Sequence, residues 1–221
     1  MNIPVLNKTL WFPSVQQATK EGIVALGGDL SEDRLLLAYR SGIFPWFSED
    51  EPIIWWSPDP RFVLFPKDLK ISKSMRLLLS KNRFEVTYNQ NFQEVISQCA
   101  LTKRHQQQDG TWITNEMIDA YVNLYRRGFA HSVEVWEAGD LVGGLYGIRI
   151  GKCFFGESMF HTVSNASKYG FIKFIEQLRK EGIVIVDCQV YTPHLESLGA
   201  AYIRRSEFLE IISGMTGGDN F

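Results

Sequence analysis

Three polar side chains interrupt two otherwise apolar runs: Glu157 in "CFFGESMFH", and Asp187 with Gln189 in "IVIVDCQV". An ionised carboxylate buried without a partner costs several kcal/mol. Glu157 must therefore be paired, open to a cleft, or used in chemistry. Asp187 and Gln189 lie two residues apart, so on a strand both face one side and Cys188 the other. Carboxylates beside an amide suit removal or relay of a proton from an attacking group. A single Asp in an apolar strand is more often a structural anchor, but three such groups at matching heights point to function.

No covalent nucleophile accompanies them. The chain has no G-x-S-x-G elbow, and Ser158 has no assignable His partner. His105, His131, His161 and His194 are scattered without the paired spacing of a metal site, so no metal is expected. Cys99, Cys153 and Cys188 fit neither a disulfide framework nor a zinc spacing.

The elements that would position these residues can be read around them. "HSVEVWEA", "LVGGLYGIRI" and "CFFGESMF" are joined by the turns "GD" and "GK", the pattern of a three-stranded antiparallel meander. "NASKYGFIKFIEQLRKEG" follows as a helix with Asn165 placed to cap it. The short apolar strand "IVIVDCQV" then completes a parallel crossover. Neighbouring parallel strands bring Glu157, Asp187 and Gln189 to the carboxyl ends, where open α/β sheets bind ligands.

Upstream, "GGDLSEDRLLLAYRSG" is a helix capped by Ser31 and stopped by Gly42, with Leu35, Leu36, Ala38 and Tyr39 inward. "TWITNEMIDAYVNLYRRG" is another, with Ile118, Tyr121, Val122 and Tyr125 as its buried stripe. "KDLKISKSMRLLLSKNR" is an amphipathic helix carrying Lys67, Lys70, Lys73, Arg76, Lys81 and Arg83 against Asp68 alone. Lys70, Lys73 and Arg76 recur every third residue, which places them near one face.

The 221 residues are 45% hydrophobic and 22% charged, as in an ordinary globular protein. The net charge of −2 excludes a generally basic nucleic-acid coat. It also means the rest of the chain is acidic overall, which favours a phosphate-binding role for the local basic stretch. There is no secretory leader pattern and no apolar run of membrane-spanning length, so a cytoplasmic location is expected, with no membrane partner. Two units are expected, a small N-terminal domain over 1–61 and a catalytic domain over 62–221.

Antiparallel strands, a helix and a parallel partner strand resemble the N-acetyltransferase (acyltransferase) superfamily, an α+β fold with a mixed sheet. The loop that would cradle the CoA pyrophosphate is "HTVSNASK", which has no glycine, so the acyl donor is expected not to be CoA. "ALGGDLSEDRLLLAYRSGIFPWF", "WWSPDPR", "GTWIT", "LVGGLYG", "FFGESMF", "NASK", "DCQ" and "HLESLGA" together resemble the bacterial leucyl/phenylalanyl-tRNA–protein transferases over nearly the whole chain.

That resemblance implies transfer of Leu or Phe, and less readily Met, from aminoacyl-tRNA to proteins with N-terminal Arg or Lys, marking them for N-end rule degradation. It implies catalysis by Glu157, Asp187 and Gln189; for the mechanism we expect a relay in which the Gln189 side-chain oxygen, polarised by Asp187, accepts a hydrogen bond from the attacking amine. Trp46 and Trp112 would stack on the terminal adenosine, a contact worth about 1–3 kcal/mol per base. Leu145, Phe154, Ser158, Met159, Phe171, Phe174 and Val186 would line the amino-acid pocket, and the basic stretch would hold tRNA phosphates. No cofactor, no DNA and a monomer are expected.

Overall fold

The computed structural model describes residues 2–102 and 113–216. A four-stranded sheet comes first, from β1 (Val5–Leu6), β2 (Ile23–Gly27), β3 (Phe44–Pro45) and β4 (Ile54–Trp56), in the order β1-β2-β4-β3. Helix α1 (Glu32–Arg40) lies between β2 and β3 and buries Leu35, Leu36, Ala38 and Tyr39 as expected. Ser31 stands at its cap position without a side-chain capping bond. Gly42 follows with φ 71°, and a Cβ there would meet the Leu209 side chain at 2.7 Å.

The second sheet holds seven strands: β5 (Arg61–Leu64), β6 (Glu85–Tyr88), β7 (Ala130–Glu137), β8 (Asp140–Ile150), β9 (Cys153–His161), β10 (Ile185–Gln189) and β11 (Ala201–Ile203). Their order is β11-β5-β10-β9-β8-β7-β6. β7, β8 and β9 form the expected meander, and β10 runs parallel to β9. All other neighbours are antiparallel. The sheet is mixed and the fold α+β, with the strand–helix–strand arrangement expected of an acyltransferase-like domain. β5 and β11 extend it beyond β10.

The remaining helices are α2 (Lys73–Ser80), α3 (Phe92–Leu101), α4 (Asn115–Arg126), α5 (Ala166–Lys180), α6 (Pro193–Ser197) and α7 (Arg205–Thr216). α5 covers one face of the large sheet; α3, α4 and α7 pack on the other. The four-stranded sheet ends before Arg61, yet one apolar cluster joins its Trp55 and the α1 residue Tyr39 to Tyr121, Phe155 and Phe208. No described helix is long and apolar enough to cross a membrane.

Three local expectations differ from the structure. The basic stretch is not one helix: Pro66–Asp68 makes a short 3-10 turn, and α2 starts only at Lys73, where Ser72 accepts the Met75 N–H at 3.2 Å. Lys70 is therefore off the helix that carries Lys73 and Arg76. The fully buried stripe of α4 is Met117, Ala120, Tyr121 and Leu124, with Ile118, Val122 and Tyr125 only half-buried. Tyr121 is common to both stripes, and the helix turns about it so that Met117, Ala120 and Leu124 face the core. Asn165 takes the left-handed conformation at φ 67° and makes no side-chain cap to α5.

Candidate active site

Two irregularities in adjacent strands build the site. Between β8 and β9, Tyr146 faces Ser158 and Gly147 faces Gly156, so Glu157 has no opposite residue. Such a bulge re-aims the side chain of the extra residue. Only glycine fits at 147, where a Cβ would lie 2.2 Å from the Phe155 carbonyl oxygen. On β10 the pairing with β5 skips Cys188, and Gln189 adopts φ 62°. β9 and β10 pair only from Cys153↔Ile185 to Phe155↔Asp187. Beyond that point their carboxyl ends separate, and a pocket of about 460 Å³ opens between them.

Glu157 stands in the wall of that pocket, 8% exposed. Its Oε1 accepts from Tyr39 Oη and from Gln189 Nε2, both at 2.8 Å, and its Oε2 accepts from Tyr121 Oη at 2.9 Å. The two tyrosine oxygens also lie within hydrogen-bond reach of each other, and a bond between them forms when one hydroxyl turns its proton away from Glu157. Burial pushes the Glu157 carboxyl up to about 7; the three donors oppose that rise, and the nearby Asp187 charge adds to it. Both tyrosines are pushed well above their usual 10, by burial first and the Glu157 charge second. They remain protonated donors while the carboxylate is poised to gain or lose a proton near neutrality.

Asp187 sits differently. Its carboxylate is gripped by Arg61, with Nε at 2.8 Å and Nη2 at 2.6 Å, and both side chains are buried. Asp187 Oδ1 also accepts the main-chain N–H of Gln189 at 2.9 Å. The expected relay, in which Asp187 polarises the Gln189 side chain, is replaced by another arrangement. Asp187 holds the backbone of Gln189, while the Gln189 amide nitrogen donates to Glu157. The reason is electrostatic: a carboxylate buried in an apolar strand needs a counter-charge, and the first residue of β5 supplies it. Arg61 also donates to the Gly42 carbonyl at 3.2 Å and lies 4.7 Å from the ring centres of Phe44 and Phe208.

Leu145, Phe154, Ser158, Met159, Phe171 and Val186 line the pocket with Glu157, Asp187 and Gln189. Phe174 does not line it; its ring stands behind Phe154 at 4.8 Å, edge to face. Trp46 is 40% exposed and paired with Trp56 at 5.8 Å, outside the pocket lining. Trp112 lies outside the described residues. Of the basic residues, Arg83 is bound to Glu137 at 2.6 Å and the Lys67 ammonium lies 5.7 Å from the Phe65 ring centre. Lys73 and Arg76 are exposed on α2, and Lys81 follows its last turn.

Sequence reasoning missed Tyr39, Tyr121 and Arg61, each with a signal of its own. Two tyrosines sit on helix faces otherwise made for the core, and an Arg opens the apolar run "RFVL". It also missed the polar rim of the pocket, where His161, Ser167 and His194 stand. Burial pushes His194 down to about 4, helped by the charges of Lys168 and His161.

Residues 63–213 match the family described as leucyl/phenylalanyl-tRNA protein transferase, and residues 28–59 match the N-terminal domain of that family. A leucyl/phenylalanyl-tRNA–protein transferase of Flavobacterium johnsoniae is 59% identical over 207 residues, 94% of this chain and 97% of that protein. A Pseudomonas fluorescens protein of the same name is 55% identical over 93% of this chain and 91% of its own length. Among solved structures, a GCN5-related N-acetyltransferase from Kribbella flavida aligns with a TM-score of 0.39 at 8% identity, covering 74% of this chain and 58% of that one.

Proposed function

The chain belongs to the leucyl/phenylalanyl-tRNA–protein transferases, an enzyme family, and from that premise we propose that it transfers Leu and Phe, and less readily Met, from charged tRNA to the N-terminal Arg or Lys of cytoplasmic acceptor proteins, so marking them for N-end rule degradation. The observation that carries this reading is an apolar pocket whose wall holds one carboxylate poised near pH 7. Leu145, Phe154, Met159, Phe171 and Val186 suit an unbranched, branched or flat apolar side chain and reject a charged one. Met159 adapts to different shapes. Discrimination among apolar donors is shallow, because one methylene is worth only about 1–3 kcal/mol in such a pocket.

The ester of aminoacyl-tRNA is already activated, so positioning and proton removal are what the enzyme must add. In this mechanism the acceptor's neutral α-amine attacks the ester carbonyl beside Glu157. A C–N bond forms, the C–O bond to the ribose breaks, and the amine proton passes to Glu157. Glu157 then hands that proton to the departing ribose oxygen, which leaves as a hydroxyl and returns the carboxylate to its ionised form. Gln189 orients Glu157, and its amide oxygen is left to meet the amine. Asp187 acts through Arg61 and the Gln189 backbone as a positioning residue. Trp46 and Trp112 stack on the terminal adenosine, and Lys67, Lys70, Lys73, Arg76 and Lys81 face tRNA phosphates, with Arg83 contributing less because of Glu137.

The test is transfer of labelled Leu, Phe, Met and Val from charged tRNA to peptides beginning with Arg, Lys, Ala or Glu. Strong Leu and Phe signals, a weaker Met signal and a weak Val signal, on Arg and Lys peptides only, are expected. Equal transfer to the Ala and Glu peptides would remove the acceptor assignment.

A further inference from the structure

The chain leaves the carboxyl end of β10 along the rim of the pocket. Gln189, Val190 and Thr192 line it, while Tyr191, in their midst, does not. Tyr191 is 42% exposed, and Tyr202 on β11 is 53% exposed. Their rings are stacked, 18° from parallel with centres 6.1 Å apart. Both rest on the buried Phe62 of β5, at 5.4 and 5.0 Å between centres. Phe62 is the register partner of Gln189 on one side and of Tyr202 on the other. A single strand therefore separates Tyr202 from the residue that holds Glu157. Contiguous aromatic surface left open to water at the edge of a site marks a place where something binds.

A carboxylate is fixed beside this pair. Glu196, exposed on α6, accepts the Tyr191 hydroxyl on Oε2 at 2.8 Å. Among the described residues no cation pairs with it. The faces of the two rings are electron-rich, and the carboxylate is negative, so both parts of the site attract a cation. The same charge repels phosphate, which sets this surface apart from the basic stretch that starts at Lys67.

We propose that Tyr191, Tyr202 and Glu196 hold the cationic side chain of the acceptor's N-terminal residue, and that they favour Arg over Lys. The inference rests on the proposed function and names the residues that select its acceptor. In that mechanism the acceptor's α-amine attacks beside Glu157, which Gln189 contacts at 2.8 Å. The first side chain of the acceptor starts from the carbon that bears this amine. Tyr191 follows Gln189 by two positions on the same rim, so that side chain has a short path to the rings. A planar guanidinium lies flat on a tyrosine ring while its edge meets a carboxylate; a compact ammonium has no flat face to stack.

The test measures transfer of Phe from charged tRNA to three peptides that differ only in the first residue: Arg, Lys and citrulline, which has the shape of Arg without its charge. The readout is the ratio of kcat/KM between peptides, because it cancels general losses of stability or donor binding. Wild-type protein is expected to favour Arg over citrulline by about tenfold. Glu196→Gln and Tyr202→Leu should each shrink that ratio roughly three- to fivefold, the size of one exposed ion pair or cation–ring contact. Tyr202→Leu should also narrow the preference for Arg over Lys, and Tyr202→Phe, which keeps the ring, should retain most of it. Unchanged ratios in Glu196→Gln and Tyr202→Leu, with Arg transfer intact, would overturn the cation site and leave the proposed function standing. A raised KM for the charged tRNA in place of a changed peptide ratio would overturn it too and reassign the rings to a tRNA base. Wild-type protein that transfers to the Arg and citrulline peptides alike overturns the acceptor reading itself.

Discussion

The Arg61 guanidinium holds both oxygens of Asp187, at 2.8 and 2.6 Å, with neither side chain exposed to solvent. Removing one member leaves the other as a buried, uncompensated charge, which costs about 3–5 kcal/mol. Asp187→Ala should therefore lower the melting temperature as well as the transfer rate. Glu157→Gln, which keeps the shape and most hydrogen-bonding capacity and removes the buried charge, should lower the rate without lowering the melting temperature. Thermal melts of both variants beside their kcat values check this; a fully stable, inactive Asp187→Ala protein would return the proton-transfer role to Asp187.

Glu157 titrating at about 7 sets the pH profile. A proton acceptor works only when ionised, so kcat should rise through pH 7 with one ionisation and level off above it. The hydroxyls of Tyr39 and Tyr121 stabilise the ionised form and so hold the value down. Tyr39→Phe and Tyr121→Phe should each move the inflection to higher pH, and Glu157→Gln should abolish it while costing on the order of 10²–10⁴ in rate. An inflection that stays in place in both tyrosine variants would place the titrating group elsewhere.

The same shift makes a stability statement of opposite sense. The folded carboxyl, at about 7 against its usual 4.5, holds a proton that the unfolded chain has already released. Stability from this group is therefore full below pH 4.5, falls as pH rises between 4.5 and 7, and stays low above that, by on the order of 3 kcal/mol. Denaturant unfolding of wild type minus Glu157→Gln across pH 4–8 should show that slope. A flat difference curve would mean that Glu157 is not buried as a carboxylic acid.

Much of this site was legible from residue types alone. The turns "GD" and "GK" placed the meander, and the apolar run around Asp187 placed a parallel partner beside it, which brought Glu157 and Gln189 together. The sense of each interaction was not legible, because it depends on bulges. Strand alternation carries no sign that Glu157 is an extra residue or that Gln189 turns to φ 62°. Partners far away in the chain were equally hidden: Tyr39 lies 118 positions and Tyr121 36 positions from Glu157, and Arg61 lies 126 from Asp187. Every third residue being basic from Lys70 to Arg76 looked like a helix face, but the cap formed by Ser72 starts the helix after Lys70.

The bulge at Glu157 depends on a missing side chain. A Cβ at position 147 would sit 2.2 Å from the Phe155 carbonyl oxygen and 2.6 Å from the Phe154 ring. The first contact is backbone, so it cannot be relieved by a rotamer change. Gly147→Ala should push β8 from β9, cost several kcal/mol on the scale of core overpacking (about 1–3, occasionally more), and displace Glu157 and Phe154 together. Lower stability with reduced transfer of both Leu and Phe is the expected result; wild-type activity in a stable Gly147→Ala protein would show that the bulge tolerates a Cβ.

Leu145 on β8 lies opposite Met159 on β9, and both face the pocket. A ring at position 145 would take space from the bound side chain beside the more adaptable Met159. Leu145→Phe should then lower kcat/KM for phenylalanyl-tRNA by about 10–100-fold relative to leucyl-tRNA, the range that about 1–3 kcal/mol of pocket discrimination allows. The ratio of the two donors is the measurement, because it cancels any general loss of stability or of acceptor binding. A fall of equal size for both would mean that the side chain of the transferred amino acid does not reach Leu145, and the pocket between β9 and β10 would have to hold another part of the substrate.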